Sequence, residues 1–262
     1  MRNRGEYFLA VILIGRESMR LLPLLALPLI ATAALAADTT DRGPGLPGDR
    51  QGDAMTYRVA DFDKVGFGLA GEIDVRVGPA WSVRATGPAA AFADLRVTRD
   101  GGSLQITRRF DDRKGDRKLE QQVHFVVTLP RLSSVSLGGS GQMRVDRVQG
   151  EAFGAALGGS GNLALSSIQV NRADILIGGS GTIAATGSSR SLKVAVFGSG
   201  NLQAPGLRAA SADVSVAGSG GVNAMVNGPA QVSVVGTGMV DLGSSARCTV
   251  SRLGRAKVRC GS

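Results

Sequence analysis

Ala173-Asp174-Ile175-Leu176-Ile177-Gly178-Gly179-Ser180-Gly181-Thr182-Ile183-Ala184-Ala185 is the stretch that decides the fold. Ile175 and Ile177 before the glycines, and Ile183 and Ala185 after them, stand two residues apart, as a strand with one buried face requires. The Gly-Ser-Gly between them is one of six copies: Gly139-Ser140-Gly141, Gly159-Ser160-Gly161, Gly179-Ser180-Gly181, Gly198-Ser199-Gly200, Gly218-Ser219-Gly220 and Gly236-Thr237-Gly238, spaced by 20, 20, 19, 20 and 18 residues. The apolar phase recurs with them, as Leu192, Val194 and Val196 then Leu202 and Ala204, and as Val232 and Val234 then Val240 and Leu242. Such a period is too short for a strand plus a packed crossover helix, so equivalent strands stack directly, about 4.8 Å apart. The expected fold is all-β, a right-handed parallel β-helix of about 20-residue coils, each reading strand, Gly-Ser-Gly bend, strand, looser turn. Glycine suits the bend because a Cβ would clash where successive rungs approach. The serines and Thr237 would stack as a hydroxyl ladder.

The composition agrees. Glycine numbers 38 of 262 residues without a three-residue period, and aromatic residues are only 4%, which fits positioned turns rather than a linker. Upstream, Met19-Arg20, the apolar run Leu21 to Ala33 and Ala34-Leu35-Ala36 read as a secretory signal peptide cleaved after Ala36. Pro23 and Pro28 make a retained membrane anchor the weaker alternative. Residues 1–36 are thus a signal region, with translation starting at Met19 or with Tyr7 to Ile14 extending the export signal. Since no cysteine follows the cleavage site, a lipid-anchored form is not expected.

Residues 37–56, with Gly43-Pro44-Gly45 and Pro47-Gly48 among charges, read as a flexible leader. From Tyr57 to residue 131 alternation returns without the bends, at Phe67, Ile73 and Val75, at Val83 and Ala85, at Leu104 and Ile106, and at Val123, Phe125, Val127 and Leu129. These are expected to be N-terminal capping coils that cover the first rung's edge, with Arg108 to Glu120 a solvent loop. Residues 132–262 then hold the repeat coils and a C-terminal cap. A shift of 16 residues lays Cys248, Val250, Gly254, Ala256 and Val258 on Val232, Val234, Gly238, Val240 and Leu242. Both Cys248 and Cys260 keep the inward parity, so either a disulfide clamps the last coil, the favoured reading in an exported chain, or two thiols are buried free.

The net charge of +9 is localised. Residues 38–131 carry fifteen basic and fourteen acidic side chains and 132–245 six and five, whereas 246–262 carry five and none. Arg247, Arg252, Arg255, Lys257 and Arg259 suit either contact with an anionic polymer or lipid headgroup, or the blunting of an open sheet edge, the second being favoured. No aromatic side chains interleave with them, so nucleic acid is not an expected partner.

The Gly71-Glu72-Ile73-Asp74-Val75-Arg76-Val77-Gly78 strand, the Asp100-Gly101-Gly102-Ser103-Leu104-Gln105-Ile106 segment, Val127-Thr128-Leu129-Pro130-Arg131-Leu132-Ser133-Ser134-Val135 and the serial Gly-Ser-Gly repeats together resemble the auto-transporter adhesin, head GIN domain family, from about Tyr57 to Gly261. The resemblance implies a β-helical cell-envelope protein with no established enzymatic activity. A membrane β-barrel for self-transport is not expected in the residues up to Ser262.

Catalytic and cofactor constellations are missing from the pattern. Gly66-Phe67-Gly68-Leu69-Ala70-Gly71 matches G-x-G-x-x-G but leads into a strand, so the helix amides that bind pyrophosphate are not expected there. Where calcium-binding β-roll repeats need Asp, Met143, Leu163 and Ile183 stand. His124, the only histidine, sits on a strand facing outward with no partnered nucleophile, and the repeated serines lack the G-x-S-x-G elbow. Asp146, Asp174, Asp213 and Asp241 are scattered outward positions, unlike the clustered carboxylates of a glycan-cleaving β-helix. No cofactor, metal or catalytic residue is expected. The reading is an exported binding or adhesion-like module of the periplasm, outer surface or medium, with a glycan or envelope protein as partner and no membrane span after signal cleavage; a passive structural part is the alternative, and a glycan-cleaving enzyme a weaker one.

Overall fold

A computed structural model describes residues 45–109 and 117–261. The signal region, the first part of the leader and the middle of the expected solvent loop lie outside the described residues. Parallel coils stack in register, and the inward residues form continuous columns. Val135, Ala155, Ile175, Val194, Val214 and Val232 make one column, and Met143, Leu163, Ile183, Leu202, Val222 and Val240 another. All of these are buried. The alternation read from sequence is therefore the inside and outside of a β-helix, whose apolar columns supply the main driving force for folding.

The coils have three faces rather than two strands and a loose turn. The strands Asn162–Gly179, Thr182–Gly198 and Asn201–Gly218 run almost the whole way from one bend to the next. Ladder pairing continues through the corner, as between Gln169 and Ser188 and between Ser189 and Ala209, with register shifts where the chain turns. Inward residues such as Ile168 and Leu207 line this third face and are fully buried. Backbone groups that a loop would leave to water are thus satisfied within the ladder.

Four further expectations are corrected. The leader is not flexible over its described part: Gly48–Gln51 and Ala54–Tyr57 form a hairpin, and the Leu46 amide donates to the Val97 carbonyl at 2.7 Å. The solvent loop ends in the short helix Arg117–Glu120, and Glu120 is only 2% exposed because its carboxylate accepts a hydrogen bond from the Arg108 guanidinium. That bond raises the Arg108 pKa. The last coil is displaced by 18 residues, not 16: Cys248 lies on Ala230, Val250 on Val232, Arg252 on Val234 and Gly254 on Gly236. Gly254-Arg255-Ala256 is thereby a seventh bend.

The cap does not precede the first coil along the axis in the order of the chain. Lys64–Phe67 pairs in parallel with Ser134–Gly139 on one side and with Ser103–Arg108 on the other; Glu72–Val77 is likewise flanked by Gln142–Val145 and His124–Leu129. The coil at 64–77 is an interior rung, and the later segment 103–129 folds back to cover it. Antiparallel strands then finish the cap, with Leu95–Asp100 on Ser103–Arg108, and Ser82–Thr86 on His124–Leu129. A change from parallel to antiparallel pairing ends the stack without offering another rung the same register.

Candidate functional site

Each of the twelve glycines singled out from sequence lies in a bend, and the two in each bend do different things. The first of each pair, Gly139, Gly159, Gly179, Gly198, Gly218 and Gly236, has φ between +108° and +145°. At Gly179 a Cβ would also stand 2.4 Å from the Gly159 carbonyl oxygen, which accepts the amides of both Ser180 and Gly181 at 3.0 Å. The second, as at Gly181, is excluded from carrying a side chain by contact alone, its Cβ falling 2.4 Å from the Gly161 carbonyl oxygen. Gly141, Gly161, Gly200, Gly220 and Gly238 are buried in the same way. These bends are backbone joints. Gly68-Leu69-Ala70-Gly71 is the corresponding joint of the interior coil, which explains the G-x-G-x-x-G match: a Cβ on Gly141 would meet the Leu69 oxygen at 2.5 Å. The hydroxyl row beside the glycines is exposed, with Thr237 donating to Ser219 at 3.1 Å. Cys248 and Cys260 form a disulfide with a Cα separation of 6.2 Å.

A concave site lies on the third face, where sequence reading had placed only a turn. An open cleft of about 380 Å³ is lined by Gly150, Gln169, Val170, Asn171, Ser188, Ser189 and Arg190. Its depth comes from Gly150, whose φ of +149° favours glycine and over which a Cβ would meet nothing within 4 Å. Polar groups repeat at rung spacing around it: the Gln149 side-chain amide donates to Gln169 at 3.3 Å, and Asn171 donates to Glu151. Primary amides, hydroxyls, a carboxylate and a guanidinium therefore converge on one surface, an inventory able both to donate and to accept. The sequence signal that could have revealed it is the 20-residue recurrence of Gln149 and Gln169.

A second polar cluster spans the junction of cap and coil. Asp74 accepts from His124 Nε2 at 3.2 Å and lies 3.7 Å from Arg144, while Arg144 pairs with Glu72 at 3.1 Å. The hydrogen bond to Glu72, followed by its charge, raises the Arg144 pKa. Both carboxylates are thus engaged by Arg144 on the neighbouring rung, which describes a half-exposed ion-pair network rather than an acid and base held apart. His124 faces outward, its side chain 40% exposed. Among the described residues no three His, Cys, Asp or Glu side chains are placed to hold a metal, and no helix is long and apolar enough to cross a membrane.

The architecture is a parallel β-helix with glycine joints. Residues 61–246 match the family described as "Putative auto-transporter adhesin, head GIN domain", and the chain belongs to that family. No curated protein sequence matches it significantly. Among solved structures, a "putative adhesin" from Bacteroides fragilis NCTC 9343 is similar with a TM-score of 0.70 and 18% identity, covering 83% of this chain and 98% of its own. A "putative lipid binding protein" from Parabacteroides distasonis ATCC 8503 follows, with a TM-score of 0.62 and 18% identity over 81% of this chain and 98% of the other. A "putative adhesin" from Parabacteroides merdae ATCC 43184 has a TM-score of 0.59 and 13% identity, covering 83% and 97%. At these identities the likeness is one of fold. Neither the family nor these three structures is described as an enzyme.

Proposed function

We propose that the chain is an exported cell-envelope module that binds a polyhydroxylated ligand, an envelope glycan, on its third face, without catalysing a reaction on it. The observation that carries this reading is the convergence of Gln169, Asn171, Ser188 and Arg190 on one open cleft. Amides and a guanidinium arranged at rung spacing suit the alternating donors and acceptors of a sugar, and each satisfied hydrogen bond adds modest affinity, so several are needed. Removal of the signal region after Ala36 would release the β-helix to the periplasm, the cell surface or the medium.

The test is a glycan array and an envelope pull-down with the chain from Ala37 onward, repeated with Gln169→Ala, Asn171→Ala and Arg190→Ala combined. A ligand captured by the parent and lost by the triple variant supports the reading. Capture of nothing in either experiment overturns it in favour of a passive structural or assembly part, and release of reducing ends from a polysaccharide would make the protein an enzyme.

A further inference from the structure

We propose that the C-terminal end of the bend ridge is a peripheral docking surface for an anionic phospholipid bilayer. One outward column beside the bends is glycine on the early rungs, at Gly158 and Gly178, and turns apolar from Phe197 onward, continuing through Ala217 and Val235 to Leu253. Phe197, Val235 and Leu253 are 47%, 51% and 71% exposed, and Met239, across the bend, is 55% exposed. Exposed large apolar side chains that gather in one column, rather than scattering singly, mark a contact surface.

The charge at that end identifies the occupant. Residues 246–262 carry five basic and no acidic side chains. Arg255 occupies the last bend, stacked on Thr237, and Lys257 lies in register on Met239, so the apolar stripe ends among cations. Among the described residues only Arg259 of the five makes an ion pair, with Asp241 at 3.7 Å. Arg252, at an inward register position on Val234, blunts the open edge. That role leaves the outward cations and the exposed apolar column unexplained. Apolar side chains that enter the headgroup boundary, flanked by cations that meet lipid phosphates, make the combination a bilayer surface recognises. An anionic polysaccharide or nucleic acid would use the cations but not Leu253, Val235 and Met239. A second copy of the chain would bring five positive charges against five.

The experiment is flotation of the chain from Ala37 onward with phosphatidylcholine vesicles, with and without phosphatidylglycerol, alongside heparin binding. Binding is expected only to the anionic vesicles. Arg255→Glu with Lys257→Glu should weaken it more than tenfold, since each basic group contributes about fivefold in partition. Val235→Ser with Leu253→Ser, both exposed and so compatible with folding, should also weaken vesicle binding while leaving any heparin binding unchanged. Absence of vesicle binding overturns the proposal. So does vesicle binding that the serine pair does not alter, which would mean a general polyanion site, and so does self-association through this end. The cleft on the third face is not involved, and its triple variant should float like the parent.

Discussion

Phe67 and Phe125 meet edge to face, ring centroids 6.0 Å apart and planes at 70°, although the second belongs to a segment that follows the first in sequence and lies outside it in the stack. The contact ties the interior coil to the strand that covers it. Phe125 is fully buried, and Tyr57 also stacks on it, ring centroids 6.4 Å apart. Phe125→Ala should cost about 3–5 kcal/mol. Trp81, the only tryptophan, donates to the Phe62 carbonyl at 2.9 Å within the same cap, so its fluorescence should follow the shift in a urea titration.

Gly178 and Gly179 are adjacent glycines with opposite expectations. Around Gly178 the nearest atom to a Cβ is 3.9 Å away, whereas at Gly179 it is 2.4 Å away and φ is +130°. Gly178→Ala should change stability by no more than about 0.5 kcal/mol. Gly179→Ala should cost about 2–4 kcal/mol, the sum of backbone strain and a displaced rung. Paired thermal melts of the two variants check this, and equal melting temperatures would contradict the account of the bend.

Ser189 stands inward between Val170 and Ala209, and its hydroxyl is buried with no hydrogen-bond partner. Ser189→Ala removes that unsatisfied group and fits a column that already accepts alanine one rung on. It should stabilise the protein by about 1 kcal/mol. A lower urea midpoint for the variant would mean that the hydroxyl has a partner.

Arg108→Met would leave the Glu120 carboxylate buried without its cation. The expected loss is on the order of 3 kcal/mol, and most of it should return in the Arg108→Met, Glu120→Leu double variant. Failure of the second substitution to recover stability would show that the pair acts through the geometry of the short helix rather than through charge.

The disulfide closes the last coil, so its loss should be felt locally. Cys248→Ser with Cys260→Ser releases a loop with a sequence separation of 12, worth about 2–3 kcal/mol. In a stack where each coil touches only its neighbours, the cost should appear as fraying of residues 247–261, seen by hydrogen exchange, while the Trp81 transition stays where it was.

The β-helix and its glycine bends were legible in the amino-acid sequence because each depends on contacts at one fixed spacing, whereas the favoured pairing of the two cysteines rested on their inward parity. A repeat brings Ala155 onto Ile175 and Gly159 onto Gly179 by the same step, so local pattern and tertiary contact coincide. The third face was missed because its register shifts at the corners interrupt the alternation, and the cleft was missed with it. Tertiary structure alone decided the order of the cap, since nothing in residues 57–131 repeats to show that 64–77 lies inside 103–129. It also decided the last register. Side chains alternate with a period of two, so shifts of 16 and 18 place the same residues inward. Only the stacking of Gly254, at a φ of +112°, over Gly236 separates them, because at that position of the bend a positive φ and contact with the rung beneath both demand glycine.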